Sequence, residues 1–158
     1  MIIDKYWGRY FGDSPDSAVL VAYLDDKGEE ILDVADIFRD LGLEELHGNY
    51  TDAQLDADVA TPAGEKHYHF DHAFQVIMDL SVLLLESKST RRFNLARVGG
   101  ADDRFMRIDS QPKHNTQITT ALKYFALMPE EHAITERFED DDWDEVGNLC
   151  EEIRGQLD

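Results

Sequence analysis

Residues 67–72 read His-Tyr-His-Phe-Asp-His and hold three of the six histidines in the chain. Neutral imidazoles and a carboxylate are the donors of a tetrahedral zinc centre. Such a centre with one open position turns a bound water into a nucleophile near neutral pH. Side chains alternate along a strand, so Tyr68 and Phe70 on one side put His67 and His69 on the other. His72 then falls on the first turn of the helix that follows, where the three imidazoles could meet. His67, His69, Asp71 and His72 are therefore candidate ligands of a metal-binding or metal-hydrolase site. The plainer alternative is two polar strand residues and a helix-start histidine, with no metal.

The His-x-His-x-Asp-His order resembles the first ligand motif of the metallo-β-lactamase fold family, which implies zinc or iron held by those residues and a hydrolytic reaction. A helix after the motif agrees with that family. The residues before it, Thr-Pro-Ala-Gly-Glu-Lys over 61–66, are not the apolar strand the family places there. His114 and His132 do not sit in the glycine-rich turns that carry the family's downstream ligands, and the resemblance covers six residues.

Other reactive groups lack a setting. Ser14, Ser17, Ser81 and Ser87 stand in no nucleophile-elbow pattern, and Gly99-Gly100 faces Asp102-Asp103 with no phosphate-loop lysine. Asp25-Asp26 and Asp140-Asp141-Asp142 lack the alternating spacing and central glycine of a calcium loop. Cys150 is the only cysteine, so no intrachain disulfide can form. No cofactor is expected.

The elements that position these groups follow from periodicity and punctuation. The β-branched and aromatic residues of 2–11 predict a strand or extended entry. Asp13 or Ser14 followed by Pro15 predicts a helix start, and the helix runs over 15–27 to Gly28. A short strand over 30–32 leads to Asp33 as a second cap. Val34, Ile37, Phe38 and Leu41 then mark a helix face closed by Gly42. A hairpin is expected from 50–59 into 66–70 around the turn at 61–64. The longest apolar run, 73–85, lies in a helix over about 70–87 whose polar stripe is only Asp71, Gln75, Asp79 and Glu86. A helix so apolar all round is buried by neighbours on several sides. Two strands, 94–98 and 104–108, are expected around Gly99-Gly100. Helices over 115–127 and 142–157 complete the chain. At 158 residues this is one domain, 1–158. The fold class is α+β and helix-rich: a central buried helix, a small antiparallel sheet and an acidic C-terminal helix.

Charge is the strongest compositional signal. The formal net charge is -19, from 34 Asp and Glu against 15 Lys and Arg. Twelve of the acidic residues lie in 130–158, opposed only by Arg137 and Arg154. A field of this sign repels nucleic acid and anionic membranes and accelerates encounter with basic proteins. No basic stretch followed by an apolar one opens the chain, and 73–85 is too short to span a bilayer. A soluble, cytoplasmic protein is expected.

The opening Tyr6-Trp7-Gly8-Arg9-Tyr10, the following Gly12-Asp13-Ser14-Pro15-Asp16-Ser17, the block over 67–88 and the overall size resemble the small acidic immunity proteins of bacterial polymorphic-toxin and contact-dependent growth inhibition systems. That resemblance implies a non-catalytic binding protein that occludes a cognate basic toxin domain such as a nuclease. The expected contacts, chosen from the charge run, are Asp140, Asp141, Asp142, Trp143, Asp144 and Glu145.

Overall fold

The computed structural model describes residues 1–158 and is built around one helix. This helix, Ala73–Thr90, is buried on all sides from Ala73 to Ser87. Elements from both halves of the chain pack on it, which answers the all-round apolarity of its sequence. The fold is α+β, helix-rich and organised on this central helix, as expected. The remaining elements are numbered in chain order, which makes the central helix α4.

The first of them departs from the sequence expectation. Residues Ile2–Tyr6 form a short helix, α1, not a strand. Ile3 and Tyr6 sit three apart on one helical face and are buried. The Ile3 N–H donates to the Glu86 carboxylate on α4 at 3.2 Å. β-Branched and aromatic residues favour strands because they pack well on a pleated surface. Here no strand pairs with them, and packing on α4 decides. A tight loop follows, with left-handed φ at Gly8, Tyr10 and Gly12. Gly12 is obligatory: a Cβ there would sit 2.2 Å from the Trp7 ring.

Helix α2, Pro15–Lys27, is capped by the Ser14 hydroxyl accepting from Ser17 N–H and ends at Gly28 in the left-handed conformation. Helix α3, Val34–Leu41, is capped by Asp33 and ends at Gly42. Both spans agree with the expectation, because short-range hydrogen bonding alone specifies these ends.

The strands fall in two groups. Strands β2, Leu55–Thr61, and β3, Gly64–Phe70, form an antiparallel hairpin in which Asp56 faces His69 and Asp58 faces His67. Strands β1, Ile31–Asp33, β4, Phe93–Asn94, and β5, Phe105–Asp109, form a sheet in the order β1-β5-β4. The small sheet expected to be antiparallel is thus mixed. β4 runs antiparallel to β5, but β1 pairs with β5 in parallel, with Leu32 opposite Ile108. Parallel pairing needs a long crossover, and α3, the hairpin and α4 supply it. The strand expected over 94–98 is also cut short. The Asn94 side chain accepts from Ala96 N–H and winds Leu95–Val98 into a 3-10 turn.

Helices α5, Pro112–Leu127, and α6, Trp143–Leu157, lie against each other and against α4. Phe125 of α5 stacks on Phe74 of α4, ring centroids 5.2 Å apart. Gly147 of α6 faces the Ala126 backbone closely enough that a Cβ would be 3.6 Å from it. Residues 128–142 join these helices through three 3-10 turns. No helix is long and apolar enough to cross a membrane.

Candidate functional site: an acidic trough and a histidine ladder

The histidine motif divides between two surfaces. His67 and His69 stand on the outer face of the β2–β3 hairpin, each between two carboxylates. His67 reaches Asp58 through Nδ1 at 2.8 Å and Asp56 through Nε2 at 3.1 Å. His69 reaches Asp56 through Nδ1 at 2.9 Å and Asp71 through Nε2 at 2.9 Å. A carboxylate on each ring nitrogen is the environment of an imidazolium, which donates from both. The pKa of His67 is raised by hydrogen bonds to Asp58 and Asp56, and that of His69 by those to Asp56 and Asp71. Asp56, which accepts from both rings, is correspondingly lowered.

His72 is elsewhere. It occupies the N-cap position of α4 and is buried, with Nε2 3.3 Å from Glu136. The backbone N–H groups of Asp71 and His72 both donate to the carboxylate of Asp16, at 2.8 and 2.9 Å. A buried anion at a helix N-terminus satisfies orphan donors and complements the helix dipole. Asp16 thereby fixes the junction that turns His72 away from its neighbours. The alternative in which the three imidazoles meet is corrected on that ground, and no group of three or more His, Cys, Asp or Glu side chains has metal-site geometry.

The acidic run is displayed by a second set of buried polar contacts. Asp79, fully buried on α4, accepts from Gly12 N–H at 2.7 Å, from Gln75 Nε2 at 2.8 Å and from the Ser17 hydroxyl. Burial pushes its carboxyl up to about 7, against the pull of those donors. Gln75 accepts from the Arg137 guanidinium, which also donates to the Asp13 carbonyl at 3.1 Å. Phe138 packs edge-on against Tyr10, 5.5 Å between centroids. The one arginine in 130–145 is therefore tied to the body of the protein while it still lines the clefts beside it, and the loop after α1 braces the segment behind it.

What faces outward is acidic. Glu136, Phe138, Glu139, Asp140 and Asp141 line an open trough of about 610 Å³ with Arg137. Through Glu136 and Arg137 it adjoins a second cleft, about 500 Å³, walled by Asp16, Asp52, Asp71 and His72. The expected contact residues do not behave alike. Asp140, Asp141 and Asp144 are exposed and Asp142 is half-buried. Glu145 pairs with Arg9 at 2.8 Å and accepts from the Tyr10 hydroxyl at 3.0 Å. Trp143 is half-buried, with its indole N–H unpaired. Asp16, Gln75, Asp79 and Arg137 were not singled out by sequence as a site. The polar stripe Asp71, Gln75, Asp79 on an otherwise apolar helix was the signal for two of them.

The serines and the cysteine have structural roles. Ser81 donates to the Met78 carbonyl, and Ser87 donates to the Leu83 carbonyl while accepting from Ile108 N–H. Cys150 is fully buried and its thiol pKa is pushed up by desolvation.

No curated protein and no solved structure matches the chain. The family model described as immunity protein 68 matches residues 2–157, from the first residue of α1 to the last of α6. The chain belongs to the immunity protein 68 family, whose members stand against a cognate toxin.

Proposed function

We propose that this immunity protein acts by occlusion, without catalysis, and that its cognate toxin is a basic domain, a nuclease of a polymorphic-toxin or contact-dependent inhibition system. One observation carries the reading. The run from Glu136 to Asp141 lines an open trough with exposed carboxylates, while its one arginine, also in the trough wall, is tied to Gln75 and the Asp13 carbonyl. Carboxylates so arranged can stand in for nucleic-acid phosphates against Lys and Arg groups of a nuclease, blocking the surface that substrate would occupy. Asp140 and Asp141 in the trough, and the exposed Asp144 beyond it, are the contact residues this favours. Asp142 and Trp143 follow at their edge, and Glu145 keeps the segment attached to Arg9 and Tyr10. The site of action is the cytoplasm, where a delivered nuclease meets its substrate.

The test uses the purified cognate toxin domain. The two purified proteins should form a tight complex that excludes double-stranded DNA or RNA from the toxin. Asp140→Lys/Asp141→Lys/Asp144→Lys should weaken it at least tenfold. A ternary complex with nucleic acid, or no complex at all, would sink the occlusion reading.

A further inference from the structure

Resting on that reading, we infer that the toxin's anchor is apolar and lies beside the trough, in the cleft between the C-terminal end of α5 and the start of α6. Leu127, Pro129 and Trp143 form its apolar wall, with Ala126 and Gly147 at its floor, and its volume is about 360 Å³. The molecule leaves six large apolar side chains exposed, and three of them, Tyr124, Leu127 and Met128, fall within five residues at the end of α5, with Leu127 lining the cleft. Leu127 is 66% exposed at a helix end, where nothing in the fold needs it. Isolated exposed leucines are ordinary, but a cluster rimmed by charge marks an interaction surface.

The rim defines the occupant. Asp144 and Glu151 line the cleft, and Glu130 and Glu131 follow on the chain from Pro129. Arg154 offsets Glu151, with Lys123 contributing at longer range. Glu131 accepts from the Tyr124 hydroxyl at 2.6 Å, which ties that ring to the turn after α5. Asp144 and Glu130 remain without a cation. A second copy of the chain would bring two such rims, and two charges of -19, against each other. A cationic protein face with a protruding apolar side chain fits instead: its basic groups meet the rim and the trough while the apolar group enters the cleft. Binding energy at interfaces concentrates in a few desolvated apolar or aromatic contacts, whereas rim charges chiefly set the encounter rate.

Leu127→Glu separates the two contributions, because it removes the apolar contact and adds a negative charge. Against the purified cognate toxin domain, measured by biolayer interferometry, Leu127→Glu should bind at least tenfold more weakly, mainly through faster dissociation, while Leu127→Met stays within threefold of the parent. Both variants should keep the parent's thermal midpoint. Equal or tighter binding by Leu127→Glu overturns the inference and leaves the occlusion reading standing. No complex with the unaltered protein overturns both. Sedimentation velocity of the free protein covers the remaining occupant: a dimer that Leu127→Glu dissociates, with toxin binding unchanged, assigns the cleft to a second copy and also overturns the inference.

Discussion

Asp79 is a carboxyl group shut away from solvent with three donors aimed at it. Its folded-state pKa is pushed up to about 7 from 3.8. Between those values the unfolded chain sheds a proton that the native chain keeps. The group's contribution is therefore complete below pH 3.8, falls as pH rises to about 7, and is flat above that. Asp79→Asn fits the same contacts. Its amide oxygen can accept from Gly12 and Gln75, and its NH2 can donate to Ser17, whose hydroxyl can then turn to Ser14 at 3.2 Å. The advantage of the Asn variant over the parent should grow from pH 4 to pH 7 and level off, reaching a few kcal/mol on the order of the pKa shift. Urea denaturation at pH 4.5, 6 and 8 measures it, and parallel pH profiles would refute the assignment. The hairpin histidines make a separate case. Proton NMR titration should find His67 and His69 both above 6.5, and Asp56→Asn should lower both, since one oxygen of Asp56 serves both rings. Parts of this were readable in advance. His67 and His69 share a strand face by alternation, but their carboxylate partners Asp56 and Asp58 lie across a hairpin register that no local pattern specifies.

Two glycines test how elements are held. Gly12 closes the loop between α1 and α2 with φ +73 and with the Trp7 ring lying where a Cβ would be. Gly12→Ala should cost roughly 2–4 kcal/mol, since strain and overpacking act together, and should change the near-ultraviolet circular dichroism of Trp7. Gly155, inside α6, has open space where a methyl group would sit, with nothing within 4 Å, and no left-handed φ. Gly155→Ala should therefore stabilise by about 0.5–1 kcal/mol through helix propensity alone, seen as a higher melting midpoint. Helix ends were legible from sequence wherever a cap was local, as at Ser14, Asp33, Gly28 and Gly42. Residues 2–6 were not, because their β-leaning composition yields to burial of Ile3 and Tyr6 against α4, far along the chain. The same holds for 95–98, where one asparagine side chain diverts a strand into a turn.

At the scale of the whole molecule the proposed occlusion of a basic toxin makes a kinetic prediction. With a net charge of -19, concentrated in 130–158, the association rate with a basic toxin domain should fall at least tenfold between 20 and 500 mM salt. The dissociation rate should change far less, as expected where screened long-range attraction drives encounter. Stopped-flow fluorescence across that salt range decides it, and a flat association rate would remove electrostatic steering from the account.

Sequence alone determined the parts that depend on neighbours in the chain. These are the capped helices, the hairpin, the buried character of 73–85 and the acid excess near the C-terminus, each specified by composition or by spacing within one turn. Tertiary structure decided everything that rests on distant residues meeting. It paired β1 with β5 in parallel across the whole middle of the chain, setting Leu32 opposite Ile108. It sent His72 away from His67 and His69 through the Asp16 clamp. It tied Arg137 to Gln75, at the wall of the trough that the acidic run lines. The physical reason is common to all three. A buried hydrogen bond or a strand pairing depends on which partner the rest of the fold brings within about 3 Å, and that partner's identity is not written in the residues beside it.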